Sequence, residues 1–291
     1  MSKAKEIVLI VFIFFVVIPS LSFGKNKLEV VVSFYPIYDF TRNIGGERID
    51  ISTLIPFNVE PHDWEPSPGD VAKLNMADLF IYNGKSLEAW AENFIRSSNN
   101  KNLKVIDLSK AINMESQDPH IWLDPMLVKL QIKVIRDELI ALDPKNKSYY
   151  EKNYIEYAKK LDTLDKEIRE TISRCRKREF VVLHAAFSYF AKRYGLTQIS
   201  ITGISPESEP SLKDIVDITK FIKDHKIKYI FAEPLVSLKL ADSIAKETGA
   251  KVLILDPVEG LSKKDSDIGK DYISKMKENL ENLKLALEYN G

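Results

Sequence analysis

The sequence predicts an α/β protein with two Rossmann-like lobes, each built on a parallel sheet, that are joined by one long backbone helix. Two observations favour this class. Short apolar strands alternate with helical patterns in both halves of the chain, and an uninterrupted helical stretch separates the halves. The length of 291 residues agrees with two lobes, because a domain averages roughly 150 residues.

The composition predicts a folded globular protein, with 45% hydrophobic and 29% charged residues. Lysine and arginine number 42, as do aspartate and glutamate, so the formal net charge is zero. A broad nucleic-acid surface needs a basic excess on one face, so we expect no nucleic-acid partner. The single cysteine, Cys175, excludes an intramolecular disulfide and a cysteine-rich metal cluster.

The N-terminus has the pattern of a signal peptide. Lys3 and Lys5 precede an apolar run over 7–18, and a short segment then ends in the small residue Gly24. This run is shorter than the about 20 residues of a bilayer span, which disfavours the alternative of an uncleaved anchor. We therefore predict a cleaved signal peptide over 1–24. No cysteine stands in the segment 19–24 directly after the apolar run, so we expect a periplasmic protein without a lipoprotein anchor.

Four short apolar segments predict the strands of an N-terminal lobe over 25–145. Helical patterns between them complete parallel strand–helix units. The predicted strands cover 28–34, 49–55, 77–82 and 104–108, and the predicted helices cover 37–44, 68–75 and 87–96.

The same alternation predicts a C-terminal lobe over 178–291. Its predicted strands cover 180–183, 198–201, 228–231 and 251–255. Its predicted helices cover 212–223, 238–248 and 268–287.

A stretch without glycine or proline, 145–194, lies between the two predicted lobes. Its apolar residues fall three or four apart and form one stripe on a helix over 147–176, about 45 Å long. A coiled-coil arm is the alternative, but the stripe lasts only about four heptads and is rich in tyrosine. We predict a linking backbone helix within 146–177.

Three of the four histidines predict a metal site. His62 and His120 share a Pro-His-x-Trp pattern with acids nearby, and His184 stands at the end of a predicted strand. A single histidine is usually structural, but two matching loop settings and a strand-end histidine together indicate metal ligands. His225 follows a helix between charged residues and is expected on the surface.

Two acids stand at equivalent strand ends in the second half. Asp256 and Glu233 each end an apolar strand and precede a proline, and ligands of open α/β sheets bind beyond such ends. Asp256 is the favoured fourth ligand, whereas for Glu233 ligation and turn capping stay open. Three imidazoles and one carboxylate suit tetrahedral Zn²⁺, since Mn²⁺ prefers more oxygen ligands.

Six segments resemble, in order, motifs of the zinc/manganese ABC-transporter solute-binding proteins, over about residues 28–290. They are 59–68 (VEPHDWEPSP), 118–125 (DPHIWLDP), 184–190 (HAAFSYF), 203–210 (GISPESEP), 231–234 (FAEP) and 255–257 (LDP). The resemblance implies two α/β lobes bridged by one long helix, a metal buried between them, and limited opening.

Carried over by position, the resemblance implies the metal ligands His62, His120, His184 and Asp256. A histidine at position 184 is similar to zinc-type members, whereas manganese-type members more often place a glutamate there. The segment 109–118 is short and without histidine, unlike the histidine-rich loop of many zinc members. The histidine at position 184 thus favours Zn²⁺ as the cargo, whereas the short segment 109–118 leaves Mn²⁺ and Fe²⁺ open.

The predicted function is extracytoplasmic capture of a divalent metal and its delivery to the membrane subunit of an ABC permease. We expect a monomer without enzymatic activity or an organic substrate. A secreted zinc hydrolase is the main alternative, but it needs an open metal position, and the chain contains neither His-Glu-x-x-His nor Gly-x-Ser-x-Gly. A module that binds an organic solute or a host surface through Trp64 and Trp122 is a third interpretation.

Overall fold

The structure is a computed structural model that describes residues 27–84, 86–112, 117–206 and 208–291. The predicted signal peptide, 1–24, lies outside the described residues. Within those ranges, no helix is both long enough and apolar enough to cross a bilayer.

The first half of the chain forms a four-stranded parallel sheet in the order β2-β1-β3-β4. Each predicted strand is present and is shorter than predicted by one or two residues at one end. The strands are β1 Leu28–Val32, β2 Ile49–Thr53, β3 Leu79–Tyr82 and β4 Lys104–Asp107. The helices are α1 Tyr35–Gly45, α2 Pro68–Met76, α3 Ala91–Ser97 and α4 Leu108–Ala111.

The second half repeats this architecture, with a parallel sheet in the order β6-β5-β7-β8. The strands are β5 Glu179–Val182, β6 Thr197–Ser200, β7 Tyr229–Ala232 and β8 Lys251–Ile254. The helices are α7 Ser188–Tyr194, α8 Leu212–Asp224, α9 Lys239–Thr248, α10 Lys263–Asp267 and α11 Tyr272–Ala286.

Two long helices connect the sheets. Helix α5, Pro125–Leu142, begins at Asp124, whose side chain accepts the backbone N–H groups of Met126 and Leu127. Helix α6, Lys147–Ser173, has 27 residues and packs against α5, α1 and α11. The prediction of a long linking helix is confirmed.

One hydrophobic core runs through both halves. It contains side chains of β1, α6 and β7, such as Val30, Leu164 and Phe231. Two smaller clusters lie against the sheets: one joins β3 to α3, and the other joins β7 to α8 and α9. The predicted fold class, two α/β lobes joined by a long helix, is confirmed. The shared core adds that the lobes are packed together and not merely tethered.

Candidate metal centre

His62 lies in the loop that follows β2. Its backbone N–H donates a hydrogen bond to Glu60 Oε1 at 3.0 Å, which fixes the loop beside the ring. Trp64, two residues further on, packs edge-on against Trp90 with ring centroids 5.2 Å apart. The Pro-His-x-Trp pattern thus places a packed aromatic side chain two residues after His62.

His120 begins a short 3-10 helix, Ile121–Leu123, and is fully buried. Its Nδ1 lies 2.7 Å from Asp118 Oδ1, and its backbone N–H donates to the same oxygen at 3.0 Å. A carboxylate can only accept, so Nδ1 carries a proton, and in the neutral imidazole Nε2 is then the nitrogen with the lone pair. The adjacent acid therefore sets which nitrogen is free to bind a cation.

His184 follows β5 by two residues and is also fully buried. Its Nδ1 lies 2.6 Å from Oε2 of Glu233, the residue that directly follows β7. Strands β5 and β7 are neighbours in the second sheet, so their carboxyl ends bring the two side chains together. Glu233 acts here as the partner that orients His184, a role distinct from the ligation and capping considered above.

Glu259 is the fourth member of the group, and it lies in the loop that follows β8. Donor atoms of His62, His120, His184 and Glu259 all lie within 4.8 Å of one another. The side chain of Glu259 is 1% exposed. Two members of the group come from the first half of the chain and two from the second, so the group lies between the halves.

Five of the six distances between these atoms are known and lie near the edge length of a tetrahedron around one ion. His120 Nε2 lies 3.2 Å from Nε2 of both His62 and His184. Glu259 Oε1 lies 3.3 Å from His62 Nε2, 3.4 Å from His120 Nε2 and 3.9 Å from His184 Nε2. A Zn–ligand distance of about 2.0–2.1 Å gives a tetrahedral edge of about 3.3–3.4 Å. The donor set thus suits a four-coordinate cation of this size.

Buried charges make the site favourable for a cation. Burial alone would lower the pKa of His120, but hydrogen bonds to Asp118 and Glu259 and their charges raise it to about 9. Burial likewise opposes ionisation of Glu259, yet hydrogen bonds from His120 and His62 hold its pKa below the usual range. Burial and the charge of Glu259 raise the pKa of Glu60 to about 9. Glu259 is therefore the carboxylate that stays ionised.

Asp256, the fourth ligand expected from sequence, lies outside this group. Its Oδ2 is 2.9 Å from Lys275 Nζ, and its Oδ1 accepts the Val258 N–H at 2.7 Å. Both oxygens are thus engaged by the chain itself, and the three-histidine group receives Glu259 from the same loop. Glu259 stands in the segment Asp256-Pro-Val-Glu-Gly260 and does not end a strand. A search for acids at the ends of predicted strands therefore does not find it. The only sequence signal for Glu259 is that it is an acid four residues after the predicted end of strand β8.

His225 is exposed, as expected from sequence. Its ring stacks on Phe221 with the centroids 3.9 Å apart. It is the one histidine of the chain that does not join the group.

Comparison with known proteins places this geometry in context. The family model described as zinc-uptake complex component A, periplasmic, matches residues 30–286. The high-affinity zinc uptake system protein ZnuA of Bacillus subtilis (strain 168) is 41% identical over 281 residues, which cover 90% of this chain and 88% of that protein.

Two further comparisons concern the zinc-binding lipoprotein AdcA of Streptococcus pneumoniae. That protein, from strain R6, is 36% identical over 287 residues, which cover 92% of this chain but 57% of AdcA. The chain thus spans little more than half of this longer relative. The crystal structure of the Zn(II)-bound ZnuA-like domain of AdcA is 38% identical and superposes with a TM-score of 0.81 over 90% of this chain and 99% of that domain.

Proposed function

The chain belongs to the family of zinc-uptake complex component A proteins, and from this premise we propose that it captures Zn²⁺ outside the cytoplasm and delivers it to an ABC permease. One observation carries the proposal: three imidazole nitrogens and one carboxylate oxygen converge from both halves on a point with tetrahedral spacing. We propose His62, His120, His184 and Glu259 as the ligands.

The donor set favours Zn²⁺ over harder ions. Borderline cations bind well to imidazole, whereas Mn²⁺ favours carboxylate, carbonyl and water oxygens. Three nitrogens and one oxygen at these distances match the four-coordinate geometry of zinc. Mn²⁺ and Fe²⁺ are therefore expected to bind more weakly, because neither gains the additional oxygen ligands that it prefers.

The same geometry argues against a zinc hydrolase. A catalytic zinc site usually has three protein ligands and keeps one position open for water. Four protein donors leave no such position, and His120, His184 and Glu259 are almost entirely buried. A closed site suits an ion that is carried and then released.

Delivery requires the ion to leave a site that both halves enclose. His62 and His120 belong to the first half, and His184 and Glu259 belong to the second, so separating the halves removes ligands from the ion. We propose that docking on the membrane subunit of the permease drives this separation. We further propose that the protein acts as a monomer and that 1–24 is a signal peptide that directs export to the periplasm.

Metal titration of the mature chain, residues 25–291, tests the proposal. After removal of metal, Zn²⁺ and Mn²⁺ are titrated calorimetrically into the wild-type protein and into Glu259→Gln and His184→Ala. We expect one tightly bound Zn²⁺ per chain and weaker Mn²⁺ binding. Each ligand variant is expected to lose more than the roughly 10–100-fold typical of an outer-shell change.

The matched control is Glu209→Gln, which makes the same chemical change at an exposed position in the second half. It is expected to bind Zn²⁺ as the wild type does. Equal affinity for Mn²⁺ and Zn²⁺ would contradict the proposed cargo. Unchanged Zn²⁺ binding by Glu259→Gln would contradict the proposed ligand set.

A further inference from the structure

Glu259, like His62, lies in a loop outside regular secondary structure. His184 follows β5 by two residues and His120 begins a short helix, whereas Glu259 lies in the loop between β8 and α10. A loop side chain serves as a fixed ligand only if other contacts hold its backbone. The residues that surround Glu259 show which contacts these are.

Helix α11 is hydrogen-bonded to the backbone of the loop at Asp256. The Asp256 N–H donates to Asn279 Oδ1 at 2.8 Å, and Asn279 Nδ2 donates to the Asp256 carbonyl oxygen at 2.6 Å. Asn279 is 3% exposed. This pair of buried hydrogen bonds fixes the backbone three residues before Glu259.

The side chain of Asp256 then shapes the turn. Its Oδ1 accepts the Val258 N–H at 2.7 Å, and Val258 adopts a φ of 57°. A β-branched residue rarely occupies this left-handed region, so the surrounding contacts must stabilise it. The resulting reversal directs the next residue, Glu259, towards the three histidines.

Lys275 of α11 holds Asp256 in place. Its Nζ lies 2.9 Å from Asp256 Oδ2, 3.2 Å from Glu278 and 3.5 Å from Asp265. Lys275 is 7% exposed and Asp256 is 8% exposed, so the buried carboxylate of Asp256 needs the charge of Lys275 for compensation. We call Asp256, Lys275 and Asn279 the α11 clamp.

The other side of the loop is fixed by the first half of the chain. Trp122 Nε1 donates to the Pro257 carbonyl oxygen at 2.7 Å, and the Leu261 N–H donates to the Phe57 carbonyl oxygen at 2.8 Å. The backbone is therefore held on both sides of Glu259. Between these points, Glu259 has little freedom to turn away from the histidines.

We propose that the α11 clamp preorganises the metal site, with Asp256 and Lys275 acting as positioning residues that hold Glu259 at the fourth ligand position. This inference rests on the proposed zinc function but assigns neither residue to the metal itself. It gives the carboxylate of Asp256 a role although Asp256 does not join the group.

A double-mutant cycle on Zn²⁺ affinity tests the inference. Asp256→Asn combined with Lys275→Met removes the ion pair without leaving one buried charge alone, and the introduced amide keeps a side-chain oxygen for the Val258 N–H. We expect Zn²⁺ affinity to fall about 10–100-fold, as for other outer-shell changes. In a Glu259→Gln background the same pair of substitutions is expected to cost about threefold or less, because the ligand through which it acts is gone.

Lys270→Met is the matched control. Lys270 pairs with Asp265 at 2.7 Å and Glu278 at 2.6 Å, two of the acids near Lys275, but it has no ion pair with Asp256 among the described residues. We expect it to bind Zn²⁺ as the wild type does. If the clamp variant loses the same affinity with and without Glu259, or loses none, the inference is overturned.

Amide hydrogen exchange of the metal-free protein gives a readout that does not depend on Zn²⁺ binding. The Asp256 and Val258 amides are expected to exchange at least about tenfold faster in the clamp variant, while those of β3 stay protected. Unchanged exchange at both amides would overturn the inference even if the wild type bound no metal. Absence of Zn²⁺ binding by the wild type, with faster exchange in the variant, would contradict only the proposed function.

Discussion

Asp39 is a carboxyl group buried between α1 and α6. It accepts hydrogen bonds from Tyr157 Oη at 2.8 Å and from Asn43 Nδ2 at 3.3 Å. Burial raises the pKa of Asp39 from 3.8 to about 6, although the Tyr157 hydrogen bond acts in the opposite direction. The folded protein thus keeps a proton on Asp39 at pH values where the unfolded chain has lost it.

This difference predicts a pH dependence of stability. Between pH 3.8 and about 6 the folded state binds the additional proton, so the free energy of unfolding falls as pH rises through this window and levels off above it. Asp39→Asn retains an acceptor for Tyr157 but cannot titrate. Between pH 4 and 7, we expect the wild type to lose about 2–3 kcal/mol more than Asp39→Asn in denaturant unfolding of the metal-free protein. Parallel pH profiles for the two proteins would contradict this.

The members of the metal centre differ in how far the sequence predicts them. His62 and His120 are recognisable because proline and tryptophan flank each one, and His184 is recognisable because it follows an apolar strand. Glu259 has no such local signal. Its direction depends on the left-handed backbone of Val258 and on Lys275 and Asn279, which belong to a helix later in the chain. Asp256 stands at the end of a predicted strand, where a ligand is expected, but its carboxylate forms an ion pair with the buried Lys275.

At the scale of secondary-structure elements, α6 ends earlier than its apolar pattern predicts. The apolar stripe predicts a helix to Arg176, whereas α6 ends at Ser173. The chain leaves the helix because Cys175 forms a β-bridge with Tyr289, and the Arg176 N–H donates to the Leu287 carbonyl oxygen. Such tertiary hydrogen bonds are invisible to periodicity. The short helix α7 was not predicted, because its seven residues are too few for a clear helical period.

The packing of α6 predicts a stability difference between its two faces. Leu164 is fully buried in the shared core, whereas Ile155 on the same helix is 64% exposed. Leu164→Ala is expected to cost about 2–5 kcal/mol, because it removes buried methyl groups and leaves a cavity. Ile155→Ala removes a similar volume from the surface and is expected to change stability by about 0.5 kcal/mol or less. Denaturant unfolding measures both, and similar losses would show that the stripe is not the packed face.

At the scale of the whole molecule, the contact between the loop of residues 256–261 and the first half lies beside the metal centre. We call this contact the seam. The loop of residues 256–261 contacts the first half through Trp122 and Phe57, and Tyr272 Oη donates to the Trp122 carbonyl oxygen at 2.7 Å. These contacts attach β8 and α11 to the first half, in addition to the shared core. If the halves separate to release metal, either these hydrogen bonds break or the loop stays attached to the first half. Both requirements favour a small movement.

Gly260 permits the closest approach across this seam, and its replacement makes the last prediction. A Cβ at position 260 would overlap the carbonyl oxygen of Phe57, a backbone atom that cannot rotate away. Gly260→Ala therefore has to displace the loop, and with it the adjoining Glu259, from the histidines. We expect Zn²⁺ affinity to fall by at least about tenfold, a loss comparable to an outer-shell change.

The control is Gly203→Ala, where the nearest atom, Ser208 Oγ, is 4.0 Å from the added Cβ. Calorimetric titration of both variants, with thermal unfolding of the metal-free proteins, separates a loss of affinity from a loss of fold. If Gly260→Ala binds Zn²⁺ as tightly as Gly203→Ala does, the seam yields without moving Glu259. Close contact between the halves would then be unnecessary for the fourth ligand, and release could begin at this seam while the ion stays bound.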